Sequence, residues 1–255
     1  MTFSPFEVPA FALFILAALG HGMLHRRSVG LALTACAGVA CLGVVGTAWH
    51  QLGRPPFKTL RESLVLFCAC GALLQLLLRR RHALPLVDAG LSAGLAGAMA
   101  WVIGHPEVPL LHLPPTLQSP WFVPHVVVYF LAYAALSMAA VAAVAVLLLG
   151  TAGAAYVPVM HRSLVAGYIL LSAGLVVGAI WASQAWGSYW AWDAKENWAL
   201  ISWFTYTLYF HVRRLPGRTV RTDAWLALTG FAVVMFTYLG MRLLPVADAS
   251  VHNCQ

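Results

Sequence analysis

The chain has 255 residues, 61% of them hydrophobic and only 9% charged, with a mean hydropathy of +0.81 and a formal net charge of +7. A water-soluble protein of this length could not hide so much apolar surface, so a soluble globular enzyme is excluded and an integral membrane protein is indicated. The basic excess would suggest nucleic acid if it formed a patch, but it follows the loops between apolar runs and reports topology instead, so no nucleic-acid partner is expected.

The apolar runs are far longer than barrel strands. In hydrocarbon only helices and closed barrels satisfy every backbone group, so these spans are helices. Eight runs are visible, at 6–24, 29–50, 60–79, 84–104, 122–149, 162–185, 195–213 and 223–244. Each is about 20 residues, which at about 1.5 Å per residue crosses about 30 Å of hydrocarbon. The expected fold is all-α: a polytopic membrane helix bundle of about eight transmembrane helices, forming one integral membrane domain over 1–255.

The first run has nothing basic before it and His25, Arg26 and Arg27 after it. That order argues against a cleaved signal peptide and for an N-terminus on the outer face. Alternation then puts Arg26, Arg27, Arg79, Arg80, Arg81, Arg162, Arg213, Arg214, Arg218 and Arg221 inside, against Arg54, Lys58, Arg61, Lys195 and Arg242 outside. Ten against five is a positive-inside bias. Both termini, the loop 105–121 and the turn 184–196 are then expected on the outer, periplasmic side.

Along the chain, the loop 105–121 carries Pro106, Pro109, Pro114, Pro115 and Pro120. Proline fixes φ and removes donors, so the loop should be an extended, stiff excursion that delivers Pro124 and His125 to the start of the fifth span. Gly174 and Gly178 form a small-xxx-small step on the sixth span that favours close helix packing. Of the five cysteines, Cys36, Cys41, Cys68 and Cys70 lie in apolar runs and Cys254 near the end. No C-x-x-C-H is present, so the chain attaches no haem covalently to itself.

The stretch with the most chemistry is WASQAWGSYWAWDAKENWALISWFTYTLYFHVRR, from Trp181 to Arg214. Six of the ten tryptophans fall between Trp181 and Trp203, around a Gly-Ser turn and the charged trio Asp193, Lys195 and Glu196. An interfacial aromatic belt explains one or two tryptophans per crossing but not this density. Trp186, Trp190, Trp192 and Trp198 suit the flat apolar walls of a porphyrin site. Asp193 and Glu196 have the spacing of a capping box, which by itself accounts for both acids. Lys195 in the first turn opposes the helix dipole, which either a nearby carboxylate such as a haem propionate or plain exposure to water explains.

Ten histidines need sorting. His125 near the outer end of span five and His252 in the outer tail could both reach the tryptophan turn, and two imidazoles on opposite faces are what bis-axial haem ligation requires. Set against that, His125 fits an interfacial histidine bonded to a backbone carbonyl, and His252 a loosely ordered terminal residue. His211 lies sixteen residues after Lys195, roughly 24 Å of helical rise, and so belongs near the inner side. It is either an inner-interface histidine or part of a second site. His21 and His25 are spaced i, i+4 like metal ligands, but beside two arginines they read as solvated interface. His50, His82, His105, His112 and His161 fall at loop edges and read as interfacial.

WGSYWAWDAKENWALISW resembles the tryptophan-rich WWD signature of haem-handling proteins of cytochrome c biogenesis. With Tyr206 and His211-Val212-Arg213, and with RPPFKTLRESLVLF at 54–67 and SPWFVPHVVVYFLAY at 119–133, the chain resembles the CcsA (ResC) type of cytochrome c synthase subunit over most of 54–214. Ala194 and Asn197 stand where that family usually has Pro and Thr, and the ending around Ser250-Val251-His252-Asn253-Cys254 also departs from its pattern.

The resemblance implies a multi-pass protein of the bacterial inner membrane that works with a ResB/CcsB-like partner. Such a protein takes haem b from the cytoplasmic side and presents it outside for thioether attachment to the C-x-x-C-H of apocytochrome c. By position, the resemblance makes His125 and His252 the outer axial ligands, with catalysis resting on their positioning of the iron. It makes His211 the ligand of an inner haem whose other ligand comes from the partner. Trp186, Trp190, Trp192, Asp193, Lys195 and Trp198 would line the cofactor site. The alternative reading is a b-type haem electron carrier or a non-catalytic assembly subunit of a membrane respiratory complex.

Overall fold

Apolar runs rich in Ala, Leu and Val, punctuated by Gly, Pro and short basic loops, give eight α-helices among the residues that the computed structural model describes, 4–22, 27–78, 84–106 and 112–240. They are α1 (Glu7–Gly22), α2 (Arg27–Leu52), α3 (Leu60–Leu78), α4 (Pro85–Gly104), α5 (Phe122–Leu148), α6 (Val157–Trp186), α7 (Ala194–Val212) and α8 (Val220–Tyr238). Six of them, α2 to α6 and α8, are long and apolar enough to cross a membrane. α1 is a shorter apolar helix of 16 residues. α7 has the length, but Lys195, Glu196, Asn197 and His211 at its two ends, with Ser, Thr, Tyr and Trp between them, lower its hydropathy.

The sixth run is longer than the sequence pattern suggests. A 3-10 stretch, Gly150–Tyr156, leads into α6, which starts at Val157 rather than near 162. Pro158 does not block this start, because a proline in the first turn lacks only an N–H that has no helical partner there.

The chain divides into two compact units, Met1–Leu113 and Pro114–Gln255. In the first, α1 packs on α2 and α4, and α3 packs on α2 and α4, which closes a ring of four helices. One end of this ring is tied by charge. Arg54 makes a two-pronged pair with Glu62 (2.8 and 3.2 Å), and Glu62 also accepts from the amides of Lys58 and Thr59. Arg61 joins Glu7 at 2.5 Å and donates to the Val102 carbonyl. These bonds explain the polar residues of the RPPFKTLRES stretch as the clasp between α1, α3 and α4.

The other end of the first unit corrects the reading of His21. It is not solvated: it is 2% exposed, within hydrogen-bond reach of Thr34 (3.5 Å) and Gln75 (3.4 Å), and Gln75 in turn bonds Ser92 and the Asp88 carbonyl. The ring lies over Gly30, where any side chain would collide with it. A polar network closed on itself is tolerated in an apolar bundle because each member is satisfied. His25 and His82 lie outside the described residues. Cys41, Cys68 and Cys70 are buried thiols of this unit and Cys36 is exposed.

In the second unit α5 is the central element. Its Ala132, Ala134, Ala135, Ala139, Ala142 and Ala143 are wholly buried, and such small side chains let α6 and α8 approach closely. α7 packs on α8 and α6. α6 stops at Gly187, whose φ of 80° is the left-handed closure that glycine favours. α7 begins at Asp193, and the antiparallel order brings the start of α5, the end of α6, the start of α7 and the end of α8 to one end of the unit.

Candidate functional site

At that end the loop after Pro114 is not simply extended. A short 3-10 turn, Pro115–Gln118, is strapped to α6 by Trp181 Nε1 donating to the Thr116 carbonyl (2.9 Å) and by Ser119 Oγ donating to Gln184 Oε1 (3.0 Å). The strap sets where α5 begins and so where His125 sits. The His125 ring packs against α6, with its centroid 5.3 Å from that of Trp181 and 4.8 Å from that of Tyr129. Its Nδ1 is 3.2 Å from the Gly174 carbonyl.

A carbonyl can only accept, so Nδ1 donates here, and in the neutral ring the lone pair is then on Nε2. This is the arrangement that second-shell carbonyls give to metal-binding imidazoles. The interfacial reading of His125 and the ligand reading therefore describe the same geometry.

The glycine step on α6 makes this possible. A Cβ at Gly178 would lie 2.6 Å from His125 Cε1, and one at Gly174 would lie 2.8 Å from the Tyr129 ring. The sequence shows the step as packing alone. The signal for its second role was the matching i, i+4 pair of rings, His125 and Tyr129, on the facing helix.

The tryptophans continue from there. Trp181 meets Trp186 at 4.9 Å, and Trp190 meets Trp192 edge-on at 5.9 Å. Trp190 is half-buried, yet its Nε1 is sealed from solvent without an acceptor. Trp192 is 69% exposed. The capping box is present: Asp193 Oδ1 accepts from the Glu196 amide at 2.7 Å, and the Glu196 carboxylate reaches back to the amides of Asp193 and Ala191. Lys195 is exposed in the first turn of α7. The Trp198 ring packs on the end of α8, 4.4 Å from that of Phe236.

His211 stands in the last turn of α7, at the opposite end of the unit, as its spacing required. It is exposed, and its Nδ1 is 2.9 Å from the Thr207 carbonyl one turn back. It lines an open groove of about 260 Å³ between α6 and α7, walled by Tyr168, Phe210 and Ile169, with Arg214 at its rim. Close by, His161 Nδ1 meets Tyr209 Oη at 3.1 Å, and Asp223 is held by Arg213 (2.8 Å) and Arg218. His252 lies outside the described residues, as does Cys254.

Helices of this length and composition, with an imidazole and clustered indoles at one end, define a multi-pass membrane protein. Residues 57–246 match the family described as "Cytochrome C assembly protein". The chain is 31% identical to "Cytochrome c biogenesis protein CcsA" of Synechococcus sp. (strain CC9311) over 84% of its own length and 85% of that protein. It is 32% identical to the protein of the same name from Prochlorococcus marinus (strain MIT 9303), over 93% and 89%. Among solved structures, "Cytochrome c Heme Lyase CcmF" superposes with a TM-score of 0.72 at 22% identity, over 96% of this chain and about half (47%) of that one, a likeness of fold. The chain belongs to the cytochrome c assembly protein family, with CcsA-type relatives, and has a role in cytochrome c maturation.

Proposed function

We propose that the His125 end of the second unit seats haem and presents it for thioether attachment to the C-x-x-C-H of apocytochrome c. In this reading the chain is the haem-handling subunit of a cytochrome c synthase and acts with a ResB/CcsB-like partner. The carrying observation is the fixed imidazole: His125 is oriented by the Gly174 carbonyl and backed by Trp181 and Trp186. The residues suit a porphyrin. Nε2 bears the lone pair an iron needs, the indoles offer flat walls, and the Trp190 Nε1 proton, sealed from water, would find an acceptor in a porphyrin carboxylate.

Haem brings the iron to be ligated and the vinyl groups that the apocytochrome thiols add to. The chain contributes position. His125 sets the distance and tilt of the ring, the indoles limit its rotation, and the Glu196-bonded turn holds the walls still. His252 is proposed as the second outer ligand. His211, with Tyr168, Phe210 and Arg214 around it, is proposed as the chain's ligand to haem b arriving from the inner side, the opposite ligand coming from the partner. The setting is the bacterial inner membrane, with the tryptophan turn facing the periplasm and the chain working as one membrane domain.

Purified His125→Ala protein tests this reading. It should retain its helix content and lose the bis-histidine absorption of the outer haem. The same absorption in variant and wild type would refute the assignment.

A further inference from the structure

Among the described residues Trp192 is the one non-glycine with positive φ, at 57°. A large side chain avoids this left-handed region because its Cβ crowds the following carbonyl oxygen, and residues held there collect at working sites. The capping box does not require it, since an N-cap asks nothing of the residue before it beyond a chain direction. What holds Trp192 is a set of bonds on both sides and on the residue itself. The Ala191 amide donates to Glu196 Oε2 at 2.8 Å, and the Asp193 amide to the same oxygen at 3.3 Å. The Trp192 carbonyl accepts from Asn197 Nδ2 at 3.0 Å, across five residues. The outcome is an indole 69% exposed beside Trp190, whose buried Nε1 lacks an acceptor.

We propose that Asn197 is a positioning residue: its amide grips the Trp192 carbonyl, keeps that residue left-handed, and so holds the indole outward as a wall against a porphyrin face. The wall rests on the haem-seating reading above; the grip does not. Any side chain that keeps an N–H donor at this reach preserves the arrangement. An acceptor-only carboxylate of the same shape opposes the carbonyl and releases it.

The test uses the full chain in detergent micelles with haem b as the added probe, in a His211→Ala background so that only the outer seat is read. Asn197→Leu and Asn197→Asp should weaken haem binding roughly three- to tenfold, the scale of one hydrogen bond, and shrink the iodide-quenchable fluorescence that Trp192→Phe removes. Asn197→Gln should retain both. Independently of haem, Trp192→Gly should melt above Trp192→Ala, because only glycine relaxes at this φ. Trp192→Ala melting higher, or quenching unchanged in Asn197→Leu, would overturn the grip. Quenching that shifts as expected while haem affinity stays constant in every variant would overturn the wall and leave the His125 seat, which the His125→Ala variant tests, as a separate question.

Discussion

The two ends of the second unit hold their histidines by different means. His125 is oriented from outside its own helix, by a carbonyl on α6 forty-nine positions away in sequence, with Trp181 and Tyr129 fixing the plane of the ring. His211 is oriented by its own helix, through the Thr207 carbonyl one turn back, and faces an open groove. The first arrangement exists only when α5 and α6 are docked. The second persists on α7 alone and leaves the ring accessible from outside the chain. A site fixed by tertiary packing suits exact presentation, whereas a locally fixed, open imidazole suits a site that a second protein completes.

The sharpest way to break the contrast is Gly178→Leu. The added side chain collides with the His125 ring, so we expect loss of outer haem ligation together with about 1–3 kcal/mol of destabilisation from overpacking. Soret absorbance and melting temperature of the same preparation check both. Next in size is Glu196→Ala, which strips the acceptor from the amides of Ala191 and Asp193. It should cost about 1–2 kcal/mol and blur the turn, seen as faster hydrogen exchange at 187–193 while α5 keeps its protection. Smallest is His211→Ala. The side chain is exposed and locally bonded, so the melting curve should move by no more than about 0.5 kcal/mol equivalent, while haem associated with the His211 end disappears. A large stability loss in that variant would show that the two histidines are held alike after all.

Much of this was legible before any coordinates. Helix number follows from eight apolar runs. The Asp193-to-Glu196 spacing pointed to the capping box, and the rise from Lys195 put His211 at the far end of α7 from the tryptophan turn. What periodicity could not show were contacts between elements. His21 read as solvated because its own helix places it beside basic residues, while the partners that bury it, Thr34 and Gln75, come from helices thirteen and fifty-four positions away. The Gly174–Gly178 step read as generic packing because a small residue does not announce which ring it makes room for. Composition picked out Trp198 as a flat apolar wall but could not show that its ring packs on Phe236 of α8. The left-handed turn at Trp192 gave no sign at all, since sequence signals for positive φ rest on Gly, Asn and Asp.

The central claim, that the imidazole of residue 125 is itself an axial ligand, is tested most directly by chemical rescue. His125→Gly in a His211→Ala background, loaded with haem b, should lose the low-spin bis-imidazole spectrum and recover it on addition of free imidazole. A low-spin spectrum already present without imidazole, and unchanged by adding it, would contradict the account.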